Sequence, residues 1–91
     1  MTGKERAELR KQANTLTAIF QIGKENITEP LIDAVDAALN KRELIKLSVL
    51  ETSELSAKEA AEQLSRATGA EIIQCIGRKL VLYREKEEES K

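Results

Sequence analysis

Apolar residues recur along the chain at two spacings, and the changes between them mark out seven elements. Leu9, Ala13 and Leu16 follow Thr2-Gly3-Lys4-Glu5 at helical intervals, which predicts a helix from Thr2 to about Leu16. Thr followed three residues later by Glu is a capping box. Its hydroxyl and carboxylate satisfy two backbone donors that the first helical turn leaves unpaired. Ala18 to Gly23 (AIFQIG) is short, carries β-branched and aromatic residues and stops at Gly, so it predicts a strand. After Gly23-Lys24-Glu25-Asn26-Ile27, Thr28 serves as an N-cap. Pro30 suits a first turn, where its missing N–H has no intrahelical partner anyway. Leu31, Ile32, Val35, Ala38 and Leu39 then line one helical face, Asp33 and Asp36 point elsewhere, and Lys41-Arg42 complement the C-terminal end of the helix dipole.

The second half switches period again. Leu44 to Leu50 (LIKLSVL) alternates, with Ile45, Leu47 and Val49 on one face and Lys46 and Ser48 on the other. Ser56-Ala57-Lys58-Glu59 is a second capping box. It leads into Ala60, Ala61, Leu64 and Ala67, with Gly69 as the stop. Glu71 to Ile76 and Lys79 to Arg84 are two strands around Gly77-Arg78, where Gly at the first loop position fits a type II′ hairpin turn. Cys75, inside the apolar run IIQCIG, is expected to be a small core residue. The order α-β-α-β-α-β-β implies parallel pairing through right-handed crossovers, then an antiparallel hairpin. The expected fold class is α/β, an α+β two-layer sandwich with a four-stranded mixed sheet. One domain is expected over residues 1–84, followed by a solvated, frayed charge run over 85–91.

Composition narrows the function. Of 91 residues, 41% are apolar and 34% charged, a globular mixture. A chain this short buries only about 60–65% of its unfolded surface, which excludes a second core. The absence of His removes the commonest general base and metal ligand, and the single Cys excludes an internal disulfide and a zinc finger. No apolar run nears the ~20 residues that span a bilayer, and MTGKERAELR has no apolar signal core. The expectation is a soluble, cytoplasmic protein with no cofactor, metal, small-molecule substrate or membrane contact. Asp33 with Asp36, and Glu59 with Glu62, share helix faces, but such pairs on short amphipathic helices serve solvation, so an enzyme is not expected. Nothing demands a dimer, and a monomer is expected.

Three places could carry binding chemistry. Gly23-Lys24-Glu25-Asn26-Ile27-Thr28 leaves a strand and opens a helix, whose N-terminal N–H groups suit a phosphate. Gly23 permits close backbone approach, Asn26 tolerates a left-handed conformation, and Lys24 adds a mobile cation. A plain strand-to-helix turn accounts for the same residues. Gly77-Arg78-Lys79 puts two cations on a tight turn, which either grips a backbone phosphate or is an ordinary charged hairpin. Lys4, Arg10 and Lys11 give the first helix a basic side, while acids gather around the third helix and at the C-terminus. A net charge of −1 is therefore compatible with one basic surface. Phe20 and Tyr83 are the only aromatics, too few for base stacking across an open sheet to drive binding.

Taken in order, Thr2-Gly3-Lys4, Leu9-Arg10, Ala13, Ile22-Gly23-Lys24, Ile27-Thr28, Glu43-Leu44-Ile45-Lys46-Leu47, Gly69, Ile76-Gly77-Arg78-Lys79 and Val81-Leu82-Tyr83-Arg84 resemble the CRM domain, the chloroplast RNA splicing and ribosome maturation domain. The nearer resemblance is to its small stand-alone bacterial form, the YhbY-like proteins. It covers about Thr2 to Arg84. The resemblance implies a fold similar to the C-terminal domain of translation initiation factor three, with strand order 1-2-4-3. It also implies RNA binding linked to precursors of the large ribosomal subunit. The RNA contact it implies is a GxxG loop flanked by basic residues. Here the loop is Gly23-Lys24-Glu25-Asn26, with Asn26 where the family has glycine and Glu25 adding negative charge at the tip. Lys4, Arg10, Lys11, Arg78, Lys79 and Arg84 complete the expected RNA-binding set. The other reading is a ribosome-associated adaptor that binds proteins without touching RNA.

Overall fold

The computed structural model describes residues 2–85. Its elements are α1 (Gly3–Ala13), β1 (Phe20–Ile22), α2 (Glu29–Arg42), β2 (Leu44–Val49), α3 (Ala57–Thr68), β3 (Glu71–Ile76) and β4 (Lys79–Tyr83). Apart from Glu85, the charge run expected to fray lies outside the described residues. Both capping boxes form. The Thr2 hydroxyl accepts from the Glu5 N–H at 3.1 Å while Glu5 Oε1 accepts from the Thr2 N–H at 2.9 Å, and Ser56 and Glu59 repeat this at 3.1 and 2.9 Å. Thr28 Oγ1 accepts from the Leu31 N–H at 3.2 Å, so Pro30 sits in the first turn of α2 at no cost in hydrogen bonds. Gly69 ends α3 with φ +77°, and Gly77 carries the positive φ, +60°, that a type II′ turn needs at its first loop position.

The four strands form one sheet in the order β1-β2-β4-β3. β1 and β2 are parallel, whereas β4 runs antiparallel to both β2 and β3 and lies between them. Alternation along the strands separates two cores. Ile22, Ile45, Leu47, Val49, Leu80 and Leu82 face α2 and α3 and pack with Val35, Leu39, Ala60, Ala61 and Leu64. On the other face Val81 and the bulged Ile73 pack with Ala13, joined by Leu9, Leu44 and Tyr83. α1 therefore adds a partial third layer to the expected two-layer sandwich. Leu9 and Ala13 are its main apolar contacts, so it covers only part of that face. This incomplete cover positions the site.

Cys75 is a correction. It lies exposed near the end of the edge strand β3 instead of in the core. The pairing of β3 with β4 shifts between Ile72 and Gln74, so Cys75 pairs with Leu80 instead of sharing the buried face of Ile73, and it stands on the outer edge of the sheet. Cys75 reaches only the start of α3, with Sγ 4.0 Å from the Ala57 carbonyl. Partial burial and the nearby Glu62 carboxylate push its thiol above the usual 9.0, against a smaller opposing pull from Lys58.

Candidate nucleic-acid interface

The strand-to-helix connection closes as a tight turn over residues 23–26, with the Asn26 N–H donating to the Gly23 carbonyl at 2.9 Å. Asn26 adopts φ +60°, a region that Gly enters freely and Asn more readily than most residues. Its side chain does not point at the turn's outer surface. Oδ1 accepts from Ser53 Oγ at 2.7 Å and from the Glu54 N–H at 3.1 Å. The Leu50 N–H also donates to the Ile22 carbonyl at 2.8 Å. The turn is thus lashed to the connection between β2 and α3, and Lys24 and Glu25 are left exposed at its tip. Between the turn and the first turn of α2 is a notch of about 270 Å³, lined by Gln21, Gly23, Lys24, Glu25, Asn26, Thr28 and Leu31.

Gly23 itself is not required by the fold. Its φ lies outside the left-handed region, and a Cβ there would meet Thr52 Oγ1 at 3.5 Å and Leu50 Cδ1 at 3.7 Å, which is ordinary contact. The half-buried Gly23 therefore stands between the Thr52 and Leu50 side chains and the exposed Lys24.

The expected RNA-binding residues divide into groups. The Val49 N–H donates to the Arg78 carbonyl at 2.7 Å, so the hairpin sits at the same end of the sheet as the 23–26 turn. Lys79 is exposed next to it, opposite Ser48. Gly23, Lys24, Glu25, Asn26, Arg78 and Lys79 therefore share one end. α1 packs Leu9 and Ala13 on the opposite half of its face, with exposed Arg10 and Lys11 in its last turn. Lys4 lies at the far end of the sheet. It shares a groove with Glu5, Glu8, Glu71, Tyr83, Arg84 and Glu85, at the end of the sheet that β2 separates from the turn by five residues, about 17 Å along the strand. The field there is negative. Burial first, and then the carboxylates of Glu43, Glu85, Glu5 and Glu71, push the Tyr83 hydroxyl above its usual value.

Arg84 is engaged elsewhere. Its guanidinium donates to Asp36 Oδ1 and the Thr68 carbonyl at 2.6 Å each, to Asn40 Oδ1 at 2.8 Å and to the Asp36 carbonyl at 3.0 Å. It joins α2 to the last turn of α3. Arg6 plays a similar part for α1, donating to Glu71 Oε1 at 2.8 Å and the Ile72 carbonyl at 2.9 Å. Neither role is visible from local spacing, because both partners are distant in sequence. Lys46 is the cation that sequence reading passed over. Alternation put it on the polar face of β2, but only the short reach of α1 leaves it beside the open part of that face.

The chain is 41% identical over 88 residues to the probable RNA-binding protein YqeI of Bacillus subtilis, covering 97% of this chain and 92% of YqeI. It is 32% identical over 88 residues to an RNA-binding protein of Haemophilus influenzae, covering 97% and 89%. It is 36% identical over 89 residues to the probable RNA-binding protein MJ0652 of Methanocaldococcus jannaschii, covering 96% of this chain and 66% of that protein. Among solved structures, the solution structure of Staphylococcus aureus SAV1595, described as a candidate RNA-binding protein, superposes with a TM-score of 0.80. It is 46% identical and covers 99% of this chain and 94% of that one. The CRS1 / YhbY (CRM) domain model matches residues 1–84, and the chain belongs to that family.

Proposed function

We propose that this protein binds ribosomal RNA by its backbone and acts in assembly of the large ribosomal subunit. The observation that carries this reading is the 23–26 turn. A glycine and an exposed lysine are presented ahead of α2, and the whole is held in shape by the Asn26 lash. Outward N–H groups and the positive end of the helix dipole favour a phosphate there. Arg78 and Lys79 extend the cationic surface at that end, and Arg10 and Lys11 add two exposed cations in the last turn of α1. The names of the relatives support RNA as the ligand, and the family resemblance supports the ribosomal setting. Contacts of this kind position a protein on RNA more than they read sequence.

The test is a titration against ribosomal RNA fragments and an unrelated RNA duplex at several salt concentrations. If Lys24→Ala and Arg10→Ala each remove one phosphate contact, each lowers the log–log salt slope by roughly 0.7–0.9. Loss of binding in Lys24→Glu, with an unchanged thermal melt, supports the reading. Unchanged slopes in both alanine variants refute the surface. Loss of ribosome association in Glu59→Lys but not in Lys24→Glu would favour the protein adaptor instead.

A further inference from the structure

One row of residues crosses all four strands on the side of the sheet that α1 leaves open. The register places Gln21 opposite Ser48, Ser48 opposite Lys79, and Lys79 opposite Ile76. With strands about 4.8 Å apart, the row spans about 14 Å. Ile76 is the most exposed large apolar side chain among the described residues, at 64%, and Ile19 lies one row back at 39%, beside Lys46. Gly77 and Arg78 follow Ile76 directly, and Gly23 comes two residues after Gln21, so the row begins and ends at the loops already described.

We infer that this row, backed by Lys46, is the track for an unpaired stretch of RNA continuing from the 23–26 turn. The inference rests on the RNA-binding reading above and adds the conformation of the RNA to it. Two arguments select this occupant. First, the row and Lys46 carry two cations and no carboxylate, which suits a phosphodiester chain. The acidic partner of the sheet, Glu71, lies at the covered end and is bound by Arg6. Second, Ile76, exposed beside Lys79 and the glycine turn, offers an apolar surface that an apolar ligand face can cover. In RNA the covering face is that of a base, which a duplex keeps stacked inside and an unpaired strand presents. No aromatic residue is on the row: Phe20 packs into the core on the other face and Tyr83 lies under α1. The contact is therefore aliphatic, and tolerant of base identity.

The experiment compares a ten-nucleotide single-stranded RNA with a sixteen-base-pair RNA duplex by fluorescence anisotropy across a salt series. The proteins are wild type, Lys24→Ala, Lys46→Ala/Lys79→Ala and Ile76→Ser. The expected result is that the double lysine variant lowers the single-strand salt slope by roughly 1.4, about 0.7 for each phosphate lost. Ile76→Ser weakens single-strand binding several-fold, leaves the slope unchanged and leaves duplex binding at the wild-type value. Equal thermal melts of the exposed-face variants exclude a folding defect. If wild type binds RNA and depends on Lys24, but the row variants bind the single strand like wild type, the track is wrong and the turn stands. If wild type binds neither RNA at low salt, the functional reading itself fails. If Ile76→Ser changes only the sedimentation of the free protein, the row is a protein contact and the inference is overturned.

Discussion

Arg84→Ala separates two roles that a basic residue at the end of β4 could have. The guanidinium uses four of its five N–H donors on Asp36, Asn40 and Thr68, and its side chain is 22% exposed. The Asp36 carboxylate is 49% exposed, so the ion pair is screened and contributes at most about 1 kcal/mol. The bonds to the Thr68 and Asp36 carbonyls contribute about 1 kcal/mol each. The Thr68 carbonyl lies in the last turn of α3, where no intrahelical donor follows. The expected loss is about 2–3 kcal/mol, which lowers the midpoint of thermal unfolding by about 10–20 °C for a chain of this length. Arg84→Lys keeps the charge but not the planar fork, so it recovers less than half of the loss. Circular dichroism melts of the three proteins measure this, and urea unfolding at 15 °C checks the free energy. At that temperature both variants remain folded, and their RNA salt slopes should match wild type. A melt within 3 °C of wild type in Arg84→Ala, combined with a smaller salt slope, would refute the reasoning and return Arg84 to the RNA surface.

Other changes test the turn and its surroundings. Gly23→Ala should melt within 2 °C of wild type, because the added methyl meets only ordinary contacts, yet weaken RNA binding by standing where a phosphate approaches; unchanged affinity would remove Gly23 from the interface. Asn26→Gly keeps the backbone shape and loses two hydrogen bonds, a cost of about 1 kcal/mol, whereas Asn26→Ala adds left-handed strain for about 2 kcal/mol in all. The reverse order in urea unfolding would contradict the lash. Amide exchange at Glu54 should quicken in both. Alkylation of Cys75 by iodoacetamide should rise with pH to a midpoint above 9.0, since its protonated form is favoured and only the thiolate reacts; a midpoint below neutrality would contradict its surroundings.

Most of the fold was written locally. Thr2 with Glu5, Ser56 with Glu59, Thr28, Gly69 and Gly77 each act through neighbours within a few positions, and each does what its spacing implied. Helical and strand periods in the apolar residues named all seven elements. What was not legible depends on partners far along the chain. Arg84 looked like a free cation because Asp36 and Thr68 are brought to it only by the fold. Cys75 looked buried because it stands in an apolar run, whereas the edge place of β3 and the shift in its pairing between Ile72 and Gln74 are set by the partner strand β4. In the candidate site, the turn and the hairpin were readable as loops with the right chemistry. Their position at one end of the sheet, and the separation of Lys4 from them, follow from strand order. The Asn26 side chain is taken up by Ser53 and Glu54, which no local pattern connects to it.

The central place of β4 sets the order in which the molecule can be completed. β4 supplies the whole junction between β2 and β3, with five paired positions on each side. Before residues 79–83 are available, β1 and β2 form a two-stranded ribbon with a bare edge, and β3 has no neighbour in the sheet. Such edges invite pairing with other chains. The two-residue turn at Gly77 and Arg78 keeps the β3–β4 junction local in sequence, whereas the β2–β4 junction joins segments more than thirty residues apart, so any change that loosens β4 exposes the edges of β2 and β3 together.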